Sequence, residues 1–217
     1  MRWTDTGGGD FAQAPAGTHV ARCVRLIDIG TQPGEYKGEK IFRRQVVIGF
    51  ELPNELMPDG ERAGMPFFVS KYYTASLAEK ANLRRDLVNW RGREFSQTEL
   101  AGFDSKNILG KPCMLQLTPN DKNKTRITAL MALPKGAPVP EQINPSFYLS
   151  LEPDEFVLAS FNALSDYYKN LITSTPEFLA LQATSAPPAP PASTARHDIG
   201  QRAQPVQLDD FDDDIPF

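Results

Sequence analysis

Regular alternation of apolar and polar residues, in runs rich in β-branched side chains, is the feature that most limits how this chain can fold. The clearest run is residues 40–52, KIFRRQVVIGFEL, in which every second residue from Phe42 to Phe50 falls on one face of an extended strand. A helix would scatter these residues around its axis, because its side chains repeat about every 3.6 residues. The pattern therefore predicts a mainly β body.

Four further runs have the same character, and turn-forming residues separate them. Strand 1 is expected at residues 18–29, strand 2 at 40–52 and strand 3 at 66–74, with strands 4 and 5 inside 108–120 and 125–134. The segment TQPGEYKGEK between the first two strands predicts a mobile hairpin loop. After strand 3 we expect a helix that begins at a capping box of Ser76 and Glu79 and ends at Gly92.

Three strands, a helix and two more strands form the order found in the OB-fold, a small five-stranded Greek-key barrel. We therefore expect an OB-fold-like barrel with its helix between strands 3 and 4. Other small barrels and α+β sheets share this order and remain alternatives. A short second helix is expected at residues 96–103, SQTELAGF.

Composition divides the chain into five predicted segments. Residues 183–208 are rich in Pro, Ala, Ser and Gln, and such a composition cannot bury enough apolar surface to fold. The predicted segments are a flexible N-terminal arm at 1–17, the OB-fold domain at 18–150, a helical extension at 151–180, a disordered linker at 181–208 and an acidic tip at 209–217.

Charge is distributed unevenly along these segments. Residues 1–149 contain 20 Lys and Arg against 16 Asp and Glu, which gives a net charge of +4. Residues 150–180 and 181–217 each have a net charge of −4. A basic body followed by an acidic end indicates a polyanionic partner for the body, and a neutral globule with a solvated acidic tail is the alternative.

The residue types that support catalysis are sparse. His19 and His197 have no nucleophile or orienting acid near them in sequence, and Cys23 and Cys113 lie in separate apolar runs that predict buried free thiols. The spacing of these four residues is not that of a zinc site. We therefore expect a cytoplasmic binding protein without enzyme activity, metal or cofactor, and the absence of a long apolar run predicts no membrane partner.

Basic and aromatic residues lie close together in the predicted strands and in the turn before strand 5. Proteins that bind single-stranded DNA (ssDNA) use such combinations, with cations for phosphates and rings for base stacking. The candidate ssDNA-binding residues are Arg22, Arg25, Phe42, Arg43, Arg44, Phe68, Lys71, Tyr72, Lys122, Lys124 and Arg126. Trp3 and Tyr36 are further stacking candidates.

Strand alternation separates the aromatic residues of strand 3. Phe67 and Tyr73 have the parity expected of core residues, whereas Phe68 and Tyr72 have the parity of an outward binding face. Arg43 is their expected outward counterpart on strand 2. Strand aromatics are more often core than platform, so each assignment has a structural alternative.

The chain ends DDFDDDIPF, an acidic run with an apolar terminus. This segment, Asp209 to Phe217, resembles the acidic C-terminal tip of bacterial single-stranded DNA-binding proteins (SSB), which follows an OB-fold and a disordered linker. The stretches APAGTHVARCVRLIDIGTQ, KANLRRDLVNWRGREF and GKPCMLQL are similar to SSB-like proteins of phages and mobile elements. The resemblance implies a bacterial host cell.

The SSB resemblance also implies roles for the tip. The implied partner-binding residues are Asp212, Asp213, Asp214, Ile215, Pro216 and Phe217. Phe217 would anchor in an apolar pocket while the aspartates approach a basic rim, so that replication, repair and recombination proteins are recruited. The expected function is sequence-independent ssDNA binding, with a possible homo-oligomer. The alternatives are an adaptor or decoy that binds no DNA and an ssDNA-annealing recombination factor.

Overall fold

The structure is a computed structural model of the chain, and it describes residues 12–60 and 62–185. Six strands are present in this part of the chain: β1 Gly17–Tyr36, β2 Glu39–Leu56, β3 Pro66–Thr74, β4 Pro112–Pro119, β5 Thr125–Met131 and β6 Phe147–Leu149. The mainly β prediction is confirmed, and the predicted bounds of strand 3 match β3. The first two strands are longer than predicted, and β6 was not predicted.

Five α-helices accompany the strands in the described ranges: α1 Asn82–Arg91, α2 Gln97–Ala101, α3 Leu158–Asn162, α4 Asp166–Thr173 and α5 Pro176–Ser185. A short 3-10 helix covers Ser105–Ile108. The predicted helical extension is therefore three helices, and α5 continues five residues into the segment predicted as linker. The predicted tip lies outside the described residues.

The strands form one antiparallel sheet in the order β3-β2-β1-β4-β5, with β6 paired to β1. The sheet is open, with β3 and β5 at the ends of that order. β1 and β4 pair in a register that sets Ala21 opposite Cys113. This register aligns the alternating buried side chains of both strands on one face. The open six-stranded sheet differs from the five-stranded barrel that the sequence predicts.

The described residues divide into two compact units. The first contains residues 12–27, 46–60 and 62–148, and the second contains residues 28–45 and 149–185. β1 and β2 each contribute residues to both units.

The core of the first unit lies between the sheet and α1. Phe50 on β2 contacts Trp90 edge to face, with ring centroids 5.7 Å apart, and the indole N–H of Trp90 donates to the Pro112 carbonyl at 2.8 Å. Phe67 and Tyr73 are buried in the same cluster, which confirms the predicted core parity of β3. Burial of each such ring stabilises the fold by about 1.5–3 kcal/mol.

The predicted start of α1 is wrong. The hydroxyl of Ser76 accepts from the backbone N–H of Ala78 in a local turn, and α1 begins six residues later with Ala81 as an N-cap that has no side-chain hydrogen bond. The capping box is instead in α2, where Ser96 and Glu99 cap each other. Gly92 ends α1 in the left-handed conformation, as predicted.

The core of the second unit is aromatic. Phe161 and Phe178, from α3 and α5, have ring centroids 4.7 Å apart, and Phe156 contacts both rings. Gly30 lies against Thr175, the residue before α5: an added Cβ at Gly30 would overlap the Thr175 side chain, and its φ of 71° also favours glycine.

Candidate nucleic-acid interface

The segment predicted as a mobile loop is instead a β-hairpin, defined here as residues 31–44. β1 continues to Tyr36, β2 begins at Glu39, and only Lys37 and Gly38 form the turn. Both turn residues have positive φ, 54° and 81°, which is the backbone conformation of a type I′ turn. This turn matches the right-handed twist of the paired strands, so the ladder extends to the turn residues.

Hydrogen bonds within the second unit hold the base of the hairpin. Glu177 accepts from the backbone N–H of Thr31 at 2.9 Å and from its hydroxyl at 2.6 Å, and the Gln32 amide donates to the Leu171 carbonyl at 3.1 Å. Burial pushes the pKa of Glu177 upward, but the bonds from Thr31 outweigh it and hold that pKa below its ordinary value. The carboxylate is therefore ionised at neutral pH.

Arg44 belongs to the same support. Its guanidinium forms an ion pair with the buried Asp28 and donates to Glu152 at 2.6 Å. Asp28 also accepts from the backbone N–H groups of Gly30 and Leu151. The hydrogen bonds to Asp28 raise the pKa of Arg44 above its ordinary value. These contacts assign Arg44 to the support of the hairpin, and its predicted DNA contact stays a prediction.

The outer part of the hairpin exposes two aromatic rings. Phe42 is 70% exposed, more than any other large apolar side chain in the described residues, and Tyr36 is 56% exposed. The Arg43 guanidinium lies 5.9 Å from the centre of the Tyr36 ring, and the Lys37 ammonium lies 5.5 Å from it. Exposed rings next to cations are the two components of a base-stacking and phosphate-binding surface.

A second basic cluster lies in the first unit, in the turn between β4 and β5. The Asn120 side chain accepts from the backbone N–H groups of Lys122 and Lys124, at 3.0 and 2.8 Å, and shapes this turn. Arg126 is exposed on β5 and is paired in register with Thr118. The turn therefore presents three of the predicted cations together, without an exposed large aromatic side chain among residues 118–126.

Two other predicted cations have structural contacts. Arg22 donates to the backbone carbonyls of Gly110 and Pro140, at 2.6 Å each, and ties together two loops of the first unit. Lys71 forms an ion pair with the buried Asp86 at 2.9 Å, and the Tyr73 hydroxyl donates to the same carboxylate at 2.9 Å. Burial, together with Asp86, raises the pKa of Tyr73. These residues support the fold, and their DNA contacts remain predictions.

Arg25 and Phe68 form a stack of their own. The Arg25 guanidinium lies 4.6 Å from the centre of the Phe68 ring and 5.8 Å from that of Phe147. Phe68 also lies over Gly49, where an added Cβ would overlap the ring and the Arg25 side chain. Phe68 and Tyr72 are half-buried, so the predicted outward face of β3 is less accessible than the hairpin.

The structure places the predicted binding residues in both units. Phe42, Arg43 and Arg44 belong to the second unit, and the first contains Arg22, Arg25, Phe68, Lys71, Tyr72, Lys122, Lys124 and Arg126. Lys37 and Lys40, both exposed on the hairpin, were not among the predicted site residues, because Lys37 falls in the segment predicted as a loop and Lys40 is the first residue of predicted strand 2. The signal was present as a Lys-Gly pair at the turn and as Lys40 two residues before Phe42.

Both cysteines, Cys23 and Cys113, are buried and free, as predicted. Within residues 12–60 and 62–185, no group of three or more His, Cys, Asp or Glu side chains is placed to hold a metal ion. None of the helices in those ranges is long and apolar enough to cross a bilayer. No protein-family model and no curated protein matches the chain.

Proposed function

We propose that this protein binds single-stranded DNA without sequence preference and that the hairpin supplies the main contact. The observation that carries the proposal is the pair of exposed rings, Tyr36 and Phe42, on a basic hairpin. A ring exposed to this extent contributes little to folding, because its apolar surface remains in water. A base that stacks on such a ring contributes about 1–3 kcal/mol to binding.

The charges of the hairpin support a polyanionic ligand. Residues 31–44 contain four basic side chains and two acidic ones, and Arg44 is occupied by Asp28 and Glu152. Lys37, Lys40 and Arg43 remain in the exposed part. A hairpin that carries exposed rings and cations suits a single strand, whose bases are available for stacking and whose phosphates are close by.

The finer fold assignment is part of the same proposal. We infer an OB-like arrangement from the meander of β3-β2-β1, the pairing of β1 with β4, and the position of α1 between β3 and β4. OB-folds bind oligonucleotides on the face of their central strands and through long loops. The outer part of the β1–β2 hairpin occupies the position of the loop between the first two strands.

The acidic tip adds a second part to the proposed function. We propose that residues 209–217 recruit proteins of DNA replication, repair or recombination, on the strength of the sequence DDFDDDIPF and its likeness to SSB tips. An apolar anchor next to several aspartates suits an apolar pocket that has a basic rim. DNA binding by the body and recruitment by the tip would bring these proteins to exposed single strands.

Fluorescence anisotropy of labelled oligo(dT) with the full chain tests the proposal. We expect binding at low salt that weakens as salt is added, because each phosphate neutralised on a single strand contributes about 0.7 to the slope of log K against log salt. Phe42→Ala should weaken binding by roughly 5- to 150-fold, which corresponds to the loss of one stacked base. Absence of binding at low salt would refute DNA binding and favour the adaptor alternative.

Two variants provide controls for this measurement. Leu158→Ala removes another exposed apolar side chain of the second unit, 60% exposed on α3, and should leave affinity unchanged. Lys135→Gln removes an exposed cation outside the hairpin and the β4–β5 turn. Equal effects of Phe42→Ala and Leu158→Ala would remove the hairpin from the proposal.

A further inference from the structure

The hairpin carries a ring and a cation on each of its two faces. One face, the Tyr36 face, contains Tyr36, Lys37 and Arg43, as the two cation–ring distances of 5.5 and 5.9 Å show. The other, the Phe42 face, contains Phe42 and Lys40, which are two residues apart on β2 and both exposed.

Strand geometry places the two rings on opposite faces. Side chains alternate along a strand, so Phe42 points away from the side on which its neighbours Ile41 and Arg43 lie. A two-residue turn sets Tyr36 across from Glu39, which has the parity of Ile41 and Arg43. The closeness of Gly34 to Ile41, 3.7 Å from an added Cβ to the Ile41 side chain, agrees with this pairing.

A single strand stacked on one face has no favourable route to the other face around the turn. Glu35 and Glu39 are both exposed next to the turn, and the same pairing places Glu39 on the Tyr36 face and Glu35, across from Lys40, on the Phe42 face. Their carboxylates would repel a phosphate backbone that crosses from the Tyr36 face to the Phe42 face. Each face carries one of these carboxylates beside the turn, but Arg43 on one face and the Phe42 ring on the other lie farther from the turn, so each face can hold a strand that does not cross the turn.

We propose that the hairpin binds two separate single strands, one on each face, an inference that rests on the proposed ssDNA-binding function. Tyr36, Lys37 and Arg43 hold one strand, and Lys40 and Phe42 hold the other. A protein with this arrangement keeps two DNA strands close together, separated only by the thickness of the two-stranded hairpin. Its substrate is then a pair of single strands, such as the two arms at the end of a duplex or two strands that are about to pair.

Native mass spectrometry of the full chain with a short oligo(dT), about 6 nucleotides long, tests this stoichiometry. We expect two oligonucleotides for each wild-type chain. The double variant Lys40→Gln/Phe42→Ala should bind one, and Tyr36→Ala/Arg43→Gln should also bind one. The combination of both double variants should lose both sites.

Conservative variants guard against misfolding of the hairpin. Tyr36→Phe and Phe42→Tyr retain a stacking ring and should each still bind two oligonucleotides. A single bound oligonucleotide that either double variant abolishes would overturn the two-strand inference while ssDNA binding stands. Two bound oligonucleotides that persist in both double variants would also overturn it. If the wild-type chain binds none at low salt, the proposed function itself fails, which is a distinct result.

Discussion

Two adjacent arginines, Arg43 and Arg44, differ in what holds them, and this difference yields a sharp prediction. Arg43 is exposed and lies near the Tyr36 ring, whereas Arg44 is bound to Asp28 and Glu152. We compare Arg43→Gln with Arg44→Gln, because both changes remove one positive charge from neighbouring positions of one strand. The first should weaken DNA binding directly, and the second should destabilise the hairpin's support.

The loss of stability expected for Arg44→Gln follows from the partners of Arg44. The Asp28 side chain is only 10% exposed, and a charge-assisted hydrogen bond to such a group is worth about 1.5–3 kcal/mol. The Glu152 side chain is 52% exposed, so that pair adds about 0–1 kcal/mol. Asp28 keeps its two backbone donors in the variant. We therefore expect Arg44→Gln to lower the free energy of unfolding by about 1.5–4 kcal/mol.

The change in the salt dependence of DNA binding expected for Arg43→Gln follows from counterion release. Loss of one phosphate contact on a single strand reduces the salt slope by about 0.7, so the affinity lost between 50 and 200 mM salt should shrink by about 2.5-fold. Because Arg43 has no ion pair among the contacts described above, Arg43→Gln should change the free energy of unfolding by less than about 0.5 kcal/mol.

Urea denaturation followed by circular dichroism gives the stabilities, and oligo(dT) anisotropy over a salt series gives the slopes. DNA binding by Arg44→Gln should be measured without urea, at a temperature at which the variant is fully folded. Its slope of log K against log salt should then equal that of the wild type. A salt slope that Arg44→Gln lowers as much as Arg43→Gln does, with unchanged stability, would refute these roles of the two arginines. That result would mean that Arg44 contacts phosphate and that its ion pairs contribute little.

Three further predictions concern other parts of the chain. The pKa of Glu177 is lowered in the folded state, so its bonds to Thr31 should stabilise the fold above about pH 4.5 and lose this effect as pH falls; urea midpoints at pH 6 and 3.5 should therefore differ less in Glu177→Gln than in the wild type. Burial raises the pKa of the Cys23 thiol to about 12, and alkylation by iodoacetamide should be slow in the native protein and fast in urea; fast native labelling would contradict its burial. Deletion of residues 209–217 should tighten ssDNA binding modestly at low salt and abolish capture of SSB-binding proteins, whereas unchanged affinity would argue against contact between the tip and the basic surface.

Local pattern was sufficient for several elements. The bounds of β3 were predictable because Pro66 and the residues after Thr74 interrupt a β-branched and aromatic run. The core positions Phe67 and Tyr73 followed from alternation, since one face of a strand must be apolar to pack on α1. The end of α1 at Gly92 followed from the preference of glycine for positive φ.

Other features depended on partners far along the chain. Ser76 carried the signal of a capping box, but a local turn uses its hydroxyl, and sequence spacing does not distinguish the two. Local sequence predicts a loop at residues 31–40 because Pro33 and Gly34 are turn residues, whereas Thr31 and Gln32 at the base of the hairpin are held by Glu177 and Leu171. Such bonds link positions more than a hundred residues apart, so no local window contains them.

The sequence by itself determined the mainly β class, the helix after the third strand and the acidic, apolar-ended tip, because each is written in short-range periodicity or in contiguous residues. Only the tertiary structure decided which charged and aromatic side chains are available. Arg43 and Arg44 are adjacent residues of the same type, yet Arg44 forms an ion pair with Asp28 while Arg43 is exposed. Phe68 has outward parity and Phe42 shares its parity with the buried Phe50, yet Arg25 covers the Phe68 ring while Phe42 remains in solvent. The physical reason is that availability depends on the contacts made in space, and these are set by the packing of distant segments.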